Sequence, residues 1–256
     1  MNKKKSYGKW IGGGLGWAFG GPIGGILGFV FGSMYDGMQR IKFAQNPYQN
    51  GGSQGHPYAN TQTQKGDFSA SLLVLAAAVM KADGRILKSE LEFVRSFFVK
   101  QFGTENANEN IKLLREILKQ DINVIDVSMQ IRHYMEYSSR LQLIHFLFGI
   151  SMADGQLHPK EVNIIEQITR YLDVDRSDFL SIKAMFVEKT NSSYQILDVS
   201  PKATDDEVKK AYRTMAIKFH PDKVAHLGND IKNAAEEKLQ KLNAAYDKIK
   251  KERRIK

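Results

Sequence analysis

The chain has no cysteine among its 256 residues, which excludes structural disulfides, thiolate zinc sites and cysteine nucleophiles and leaves the redox compartment undetermined. Strand signals are scarce as well. Across residues 67–190, apolar residues recur at helical spacing in "SLLVLAAAVM", "ELEFVRSFFVKQF", "IKLLREILKQ", "RLQLIHFLFGISM", "EVNIIEQITRYL" and "RSDFLSIKAMFV", which predicts an all-α fold. Charge is missing altogether from residues 10–35. No small-x-small cleavage pattern follows that run, which argues against a removable signal peptide. The net charge of +9 is uneven: residues 1–65 hold seven Lys/Arg against one acid, residues 66–192 fifteen against seventeen, and residues 193–256 fifteen against ten. Two basic ends therefore flank an ordinary globular middle.

The uncharged run is rich in glycine. Gly8, Gly12, Gly16, Gly20, Gly24, Gly28 and Gly32 recur every fourth position, so on a helix they form one smooth ridge amid Trp10, Leu15, Trp17, Phe19, Ile26, Phe29 and Phe31. In water each glycine costs a helix about 1 kcal/mol relative to alanine. In a bilayer the backbone has no other partner, and small residues four apart let two helices approach closely. Residues 10–35 reach roughly 39 Å as a helix, enough to cross a hydrocarbon core of about 30 Å. The segment 1–43 is thus predicted to be a membrane anchor, a glycine-zipper transmembrane helix packing through Gly12, Gly16, Gly20, Gly24, Gly28 and Gly32 into a homodimer. A hairpin bent at Gly20-Gly21-Pro22 is the alternative. Lys3, Lys4, Lys5 and Lys9 outnumber Arg40 and Lys42, which by charge alone favours a cytoplasmic N-terminus. Residues 44–66, rich in Asn, Gln, Gly and Ser, are predicted to be a disordered tether with a root-mean-square reach of roughly 26 Å.

Within the helical middle lies a repeat. "MKADGRILKSEL" and "SMADGQLHPKEV" align Asp83 with Asp154, Gly84 with Gly155 and Glu90 with Glu161. Each copy reads as a helix closing at Ala-Asp-Gly, a turn and a new helix, with Pro159 suited to a first helical position and Glu161 to the first turn. These acids are either parts of the two turns or, together, oxygen ligands for a divalent cation. The twelve-residue pattern of a calcium loop is absent. His133, His145 and His158 have no ligand spacing among themselves and read as ordinary surface or core residues. The segment 67–190 resembles the TerB-like family of helical domains. That resemblance raises the expectation of a metal or small ligand at Asp83, Glu90, Asp154 and Glu161.

The last quarter, residues 191–256, has its own logic. Thr204 or Asp205 caps a helix whose apolar face is Val208, Ala211, Tyr212, Met215, Phe219 and in part Ile217, while Lys209, Lys210, Arg213 and Lys218 make a basic surface. Pro221 disfavours helix at His220, so the helix stops there. A second helix over residues 229–250 offers Ala235, Leu239, Leu242, Ala245, Tyr246 and Ile249 as its seam, giving an antiparallel pair joined at His-Pro-Asp. This order, with "SSYQILDV" before it and "LNAAYDKI" closing it, is similar to the J-domain of DnaJ-type co-chaperones.

The resemblance implies a binding module rather than an enzyme. Lys209, Lys210, Tyr212, Arg213 and Lys218 would dock on a DnaK-type chaperone, and His220, Pro221 and Asp222 would stimulate its ATP hydrolysis. Thr214 departs from the family, which often has a further basic residue there. Anchor, TerB-like domain and terminal J-domain together resemble membrane-anchored DnaJ-type co-chaperones of the bacterial inner membrane. In those the folded parts face the cytoplasm, which contradicts the charge count for a single span and agrees with it for a hairpin. Nucleic acid is not among the partners implied. The rival reading is a metal- or ligand-sensing stress-response protein acting through the TerB-like domain.

Overall fold

The structure, a computed structural model, describes residues 21–30, 65–187 and 192–254. Every regular element among the described residues is a helix. The helical body consists of α1 (Lys65–Met80), α2 (Lys88–Ile117), α3 (Val124–Tyr134), α4 (Tyr137–Ser151), α5 (Pro159–Tyr171) and α6 (Arg176–Ala184). The C-terminal unit follows as α7 (Ser192–Ile196), α8 (Asp205–Lys218), a 3₁₀ helix (Pro221–Leu227) and α9 (Asn229–Arg253).

Two helices form the centre. Residues 72–80 of α1 are buried without a break, and α4 buries Leu141, Leu143, Ile144, Leu147, Phe148 and Ile150. Helices apolar on all sides are stable in water only when other helices cover them. Here α1 and α4 pack on each other, with α2, α3, α5 and α6 around them. The outer helices begin where the sequence satisfies their free N–H groups: the Asn123 side chain accepts from Ile125 and Asp126, and Pro159 opens α5. Helix α2 bends at Gly103, whose φ is +79°.

Helices α2 and α4 approach closely because Gly149 has no side chain, so that a Cβ there would overlap the Phe93 ring. Gly149→Ala is therefore expected to lower stability by about 1–2 kcal/mol, read as a lower midpoint in urea at unchanged slope. A gain in stability would mean that the ring has room to turn aside.

Residues 21–30 are helical and lie against α3. Ile23 and Val30 are buried, and the Ile23 N–H donates to Gln130 Oε1 at 2.9 Å. Gly21 has a φ of +59°, so a regular helix does not run straight through this point; the hairpin alternative put its bend here. Among the described residues no helix is long and apolar enough to cross a membrane. The remainder of the anticipated 10–35 span, with Gly12, Gly16, Gly20 and Gly32 of its ridge, lies outside the described residues, as does the tether up to residue 64.

In the C-terminal unit the expected antiparallel pair is present as α8 and α9, with one correction to the apolar face. Ile217 is 64% exposed. It sits two residues from both Met215 and Phe219, about 200° around the helix from each, and so faces outward with the basic residues.

Candidate functional site

The corner between α8 and α9 is built from four buried anchors and two exposed side chains. Phe219, Pro221, Val224 and Leu227 are buried, which fixes the turn to the unit's core. Pro221 has a pre-set φ and occupies the first position of the 3₁₀ helix. His220 Nδ1 accepts from the Asp222 N–H at 3.3 Å and lies 3.5 Å from the Asp222 carboxylate, leaving Nε2 as the donor of the neutral ring. The side chains of His220 and Asp222 remain 49% and 76% exposed. An imidazole and a carboxylate are thus presented to solvent on a rigid turn.

Beside the corner, α8 begins in a capping box: Thr204 and Glu207 exchange backbone and side-chain hydrogen bonds. This capping lowers the Glu207 carboxyl below its usual range, the Thr204 N–H being the main cause. Lys210 and Arg213 are exposed and Lys209 half-buried. Tyr212 is turned inward: its ring stacks on Tyr246 with centroids 4.2 Å apart, and its hydroxyl donates to Asn243 Oδ1 at 3.0 Å. Lys218 is not free either. Its ammonium donates to both carboxylate oxygens of Asp178 on α6, at 2.8 and 2.7 Å.

That pair belongs to an interface between the C-terminal unit and the body. The 3₁₀ helix packs on α4 and α1, and α9 on α2 and α4. Lys238 is fully buried there, donating to the Leu141 carbonyl at 3.3 Å with its ammonium 4.8 Å from the Phe219 ring centre. Burial holds its pKa well below the ordinary lysine value, with Asp178 opposing. Lys241 donates to the Met185 carbonyl at 3.3 Å, over the Phe186 ring. His145 is enclosed between them and stays neutral, its pKa lowered by burial first and then by Lys238 and Lys241. Tyr137 donates to Asp178, and both burial and that carboxylate raise its pKa.

Sequence reasoning missed Asp178, Tyr137, Lys238 and Lys241. Two of them carried a signal. Asp178 shares a helix face with Ser181 and Ile182, which are buried, and Lys238 falls between Ala235 and Leu242 on the apolar seam of α9.

The duplicated acidic turns are brought together in part. Asp83 Oδ1 accepts from the Arg85 N–H at 2.7 Å and Asp154 Oδ1 from the Gln156 N–H at 3.0 Å, each closing its own turn. Gly84 and Gly155 follow with φ of +84° and +87°, where a side chain would be strained. His158 pairs with Asp154 at 3.1 Å, which raises the imidazole and, after the Gln156 N–H, lowers the carboxyl.

Glu90 and Glu161 instead point into the core, 1% and 2% exposed. Glu90 accepts from the Leu87 N–H at 2.7 Å, and Glu161 accepts from the Ser151 hydroxyl. Burial first, then Glu161 and Asp83, push the Glu90 carboxyl up to about 7, and burial also raises Glu161. Two buried carboxyls that accept from Leu87 and Ser151, with each aspartate closing its own turn, fit structural turns better than a hard cation. Among the described residues no group of three or more His, Asp or Glu side chains is placed to hold a metal ion.

A rigid His-Pro-Asp corner on a helical pair, beside a basic helix and docked on a six-helix body, defines the class: a J-domain protein with a TerB-like domain. Residues 192–256 match the DnaJ domain family, residues 69–184 the tellurite resistance protein TerB family, and residues 1–54 the co-chaperone DjlA transmembrane domain. These three matches, and relatives named co-chaperone protein DjlA that align along most of the chain, make it similar to the DjlA-like membrane-anchored DnaJ-type co-chaperones. It is 28% identical to the co-chaperone protein DjlA of Vibrio parahaemolyticus over 78% of this chain and 82% of that one. It is 25% identical to that of Photobacterium profundum over 98% and 100%, and 27% identical to that of Coxiella burnetii over 68% and 73%. No solved structure matches the chain.

Proposed function

We propose that this chain recruits a DnaK-type chaperone to the cytoplasmic face of a bacterial inner membrane and stimulates its ATP hydrolysis, being itself a regulator rather than an enzyme. The observation that carries the reading is the exposed, proline-fixed pair of His220 and Asp222 beside the basic residues of α8. Lys210 and Arg213, with Lys209, supply the charge that steers and registers an acidic partner face. The buried anchors hold the corner at a fixed distance from that basic surface, so a docked partner meets the imidazole and carboxylate in one geometry. A pair of anchors associated through the glycine ridge would present two such corners together.

Docking by exposed charge has a simple test. Reversal of two charges in Lys210→Glu/Arg213→Glu is expected to weaken binding to the ATP-bound chaperone about tenfold or more, and wild-type binding should itself weaken as salt is raised from 50 to 300 mM. Binding insensitive to both would remove α8 as the docking surface.

A further inference from the structure

We propose that the TerB-like body is an autoinhibitory latch on the J-domain, in which Asp178 holds Lys218, the docking cation nearest the stimulating corner, until the interface opens. The inference rests on the co-chaperone reading, and its evidence is the interface.

Lys218 lies in the last turn of α8, two residues before His220, and would be the docking cation nearest the corner. Asp178 takes it with both carboxylate oxygens, while Asp175 stands 4.0 Å away and Tyr137 pins the Asp178 side chain from below. The body thereby places a carboxylate where an acidic partner would place its own. Asp222 borders an open cleft of about 440 Å³ whose walls are Lys218, Lys223 and His226 on one side and Glu136, Tyr137 and Ser138 on the other, and His220 is not among its walls. A partner that engages Lys218 must displace Asp178 of the body.

The interface is suited to opening. Among the described residues, Lys218, Lys238 and Lys241 of the C-terminal unit face the body, and Lys238 and Lys241 donate there to backbone carbonyls beside aromatic rings. Buried Asp178 answers Lys218 directly and opposes the desolvation of Lys238. His145 Nε2 is buried beside them with no hydrogen-bond partner. Opening returns Lys238 to water and exposes the Asp178 site, and the partner's apparent affinity is its intrinsic affinity multiplied by the open fraction.

The test uses the full chain in lipid nanodiscs and the partner's single-turnover ATP hydrolysis as a function of co-chaperone concentration. Asp178→Asn is expected to lower the half-maximal concentration about three- to tenfold with the same maximal rate. A folded variant with an unchanged half-maximum overturns the latch. Should Asp178→Asn not fold, the wild-type interface decides. The chain has no cysteine, so Arg176→Cys and Lys248→Cys, on the body and on α9, can carry a pair of spin labels. Their distance distribution is expected to gain a longer component on saturation with ATP-bound chaperone, and a distribution that stays single and unchanged overturns the proposal. If the wild-type chain stimulates hydrolysis no more than a His220→Gln chain, the co-chaperone reading fails, and the label distances still report whether the latch opens.

Discussion

His220→Gln is expected to bring partner ATP hydrolysis down to its unstimulated rate while leaving both the fold and chaperone docking in place. The side chain is half exposed, and within the turn it accepts from the Asp222 N–H and lies beside the Asp222 carboxylate. Loss of a cap of this kind costs about 1 kcal/mol at most at an exposed site, and the amide oxygen of Gln can replace it. Docking by Lys210 and Arg213 is untouched, because those residues lie on the open face of α8. The loss therefore falls on stimulation alone: about hundredfold if the imidazole and carboxylate act as one unit, which corresponds to about 2.7 kcal/mol of barrier. Asp222→Asn should give the same phenotype, and the double variant should be no worse than either single one. A stimulated rate within twofold of wild type would mean that the corner is only a turn.

Glu90→Gln is expected to stabilise the protein at pH 8 and to leave it unchanged at pH 4. The Glu90 carboxyl is raised from the ordinary 4.5 to about 7 by burial and by Glu161. A pKa raised on folding means that the protonated form is favoured in the native state. Its contribution is complete below about 4.5 and is lost as pH rises through about 7. Wild-type stability should therefore decline across that window, by about 2 kcal/mol or roughly 5 °C in melting temperature. The Gln side chain keeps a carbonyl for the Leu87 N–H and carries no charge, so the variant should show a flatter profile between pH 5 and 8. Parallel profiles for the two proteins would show that Glu90 is ionised throughout, and a cation bridging Glu90 and Glu161 would then deserve a search.

These two sites were legible to different degrees, for physical reasons. The corner could be read from residues 204–222 because all its determinants are local. Thr204 and Glu207 are spaced for a capping box, and Pro221 forbids helix at His220. The 3₁₀ helix after it was not foreseen, since three-residue turns leave no apolar period of their own. The repeat gave the acidic turns, with Asp-Gly closing one helix and Glu opening the next. It did not reveal that Glu90 and Glu161 meet in the core, because that depends on how α2 and α5 pack around α1. Ile217 was misplaced because its apolar side chain was read without its position on the helix.

Least legible was the Asp178–Lys218 pair, forty residues apart and joined only by the docking of one unit on another. Tyr212, expected on the docking surface, is half-buried, its ring stacked on Tyr246 between α8 and α9. No local pattern distinguishes a tyrosine that faces a partner from one that faces the next helix.

The central claim is that a chain anchored in a bilayer triggers another protein's nucleotide cycle through this corner. The most direct measurement is single-turnover ATP hydrolysis by a DnaK-type chaperone on addition of the full chain in nanodiscs, at low and high salt. The expected result is an acceleration of about tenfold or more at low salt that shrinks as salt rises. No acceleration at any salt or any chain concentration would contradict the account.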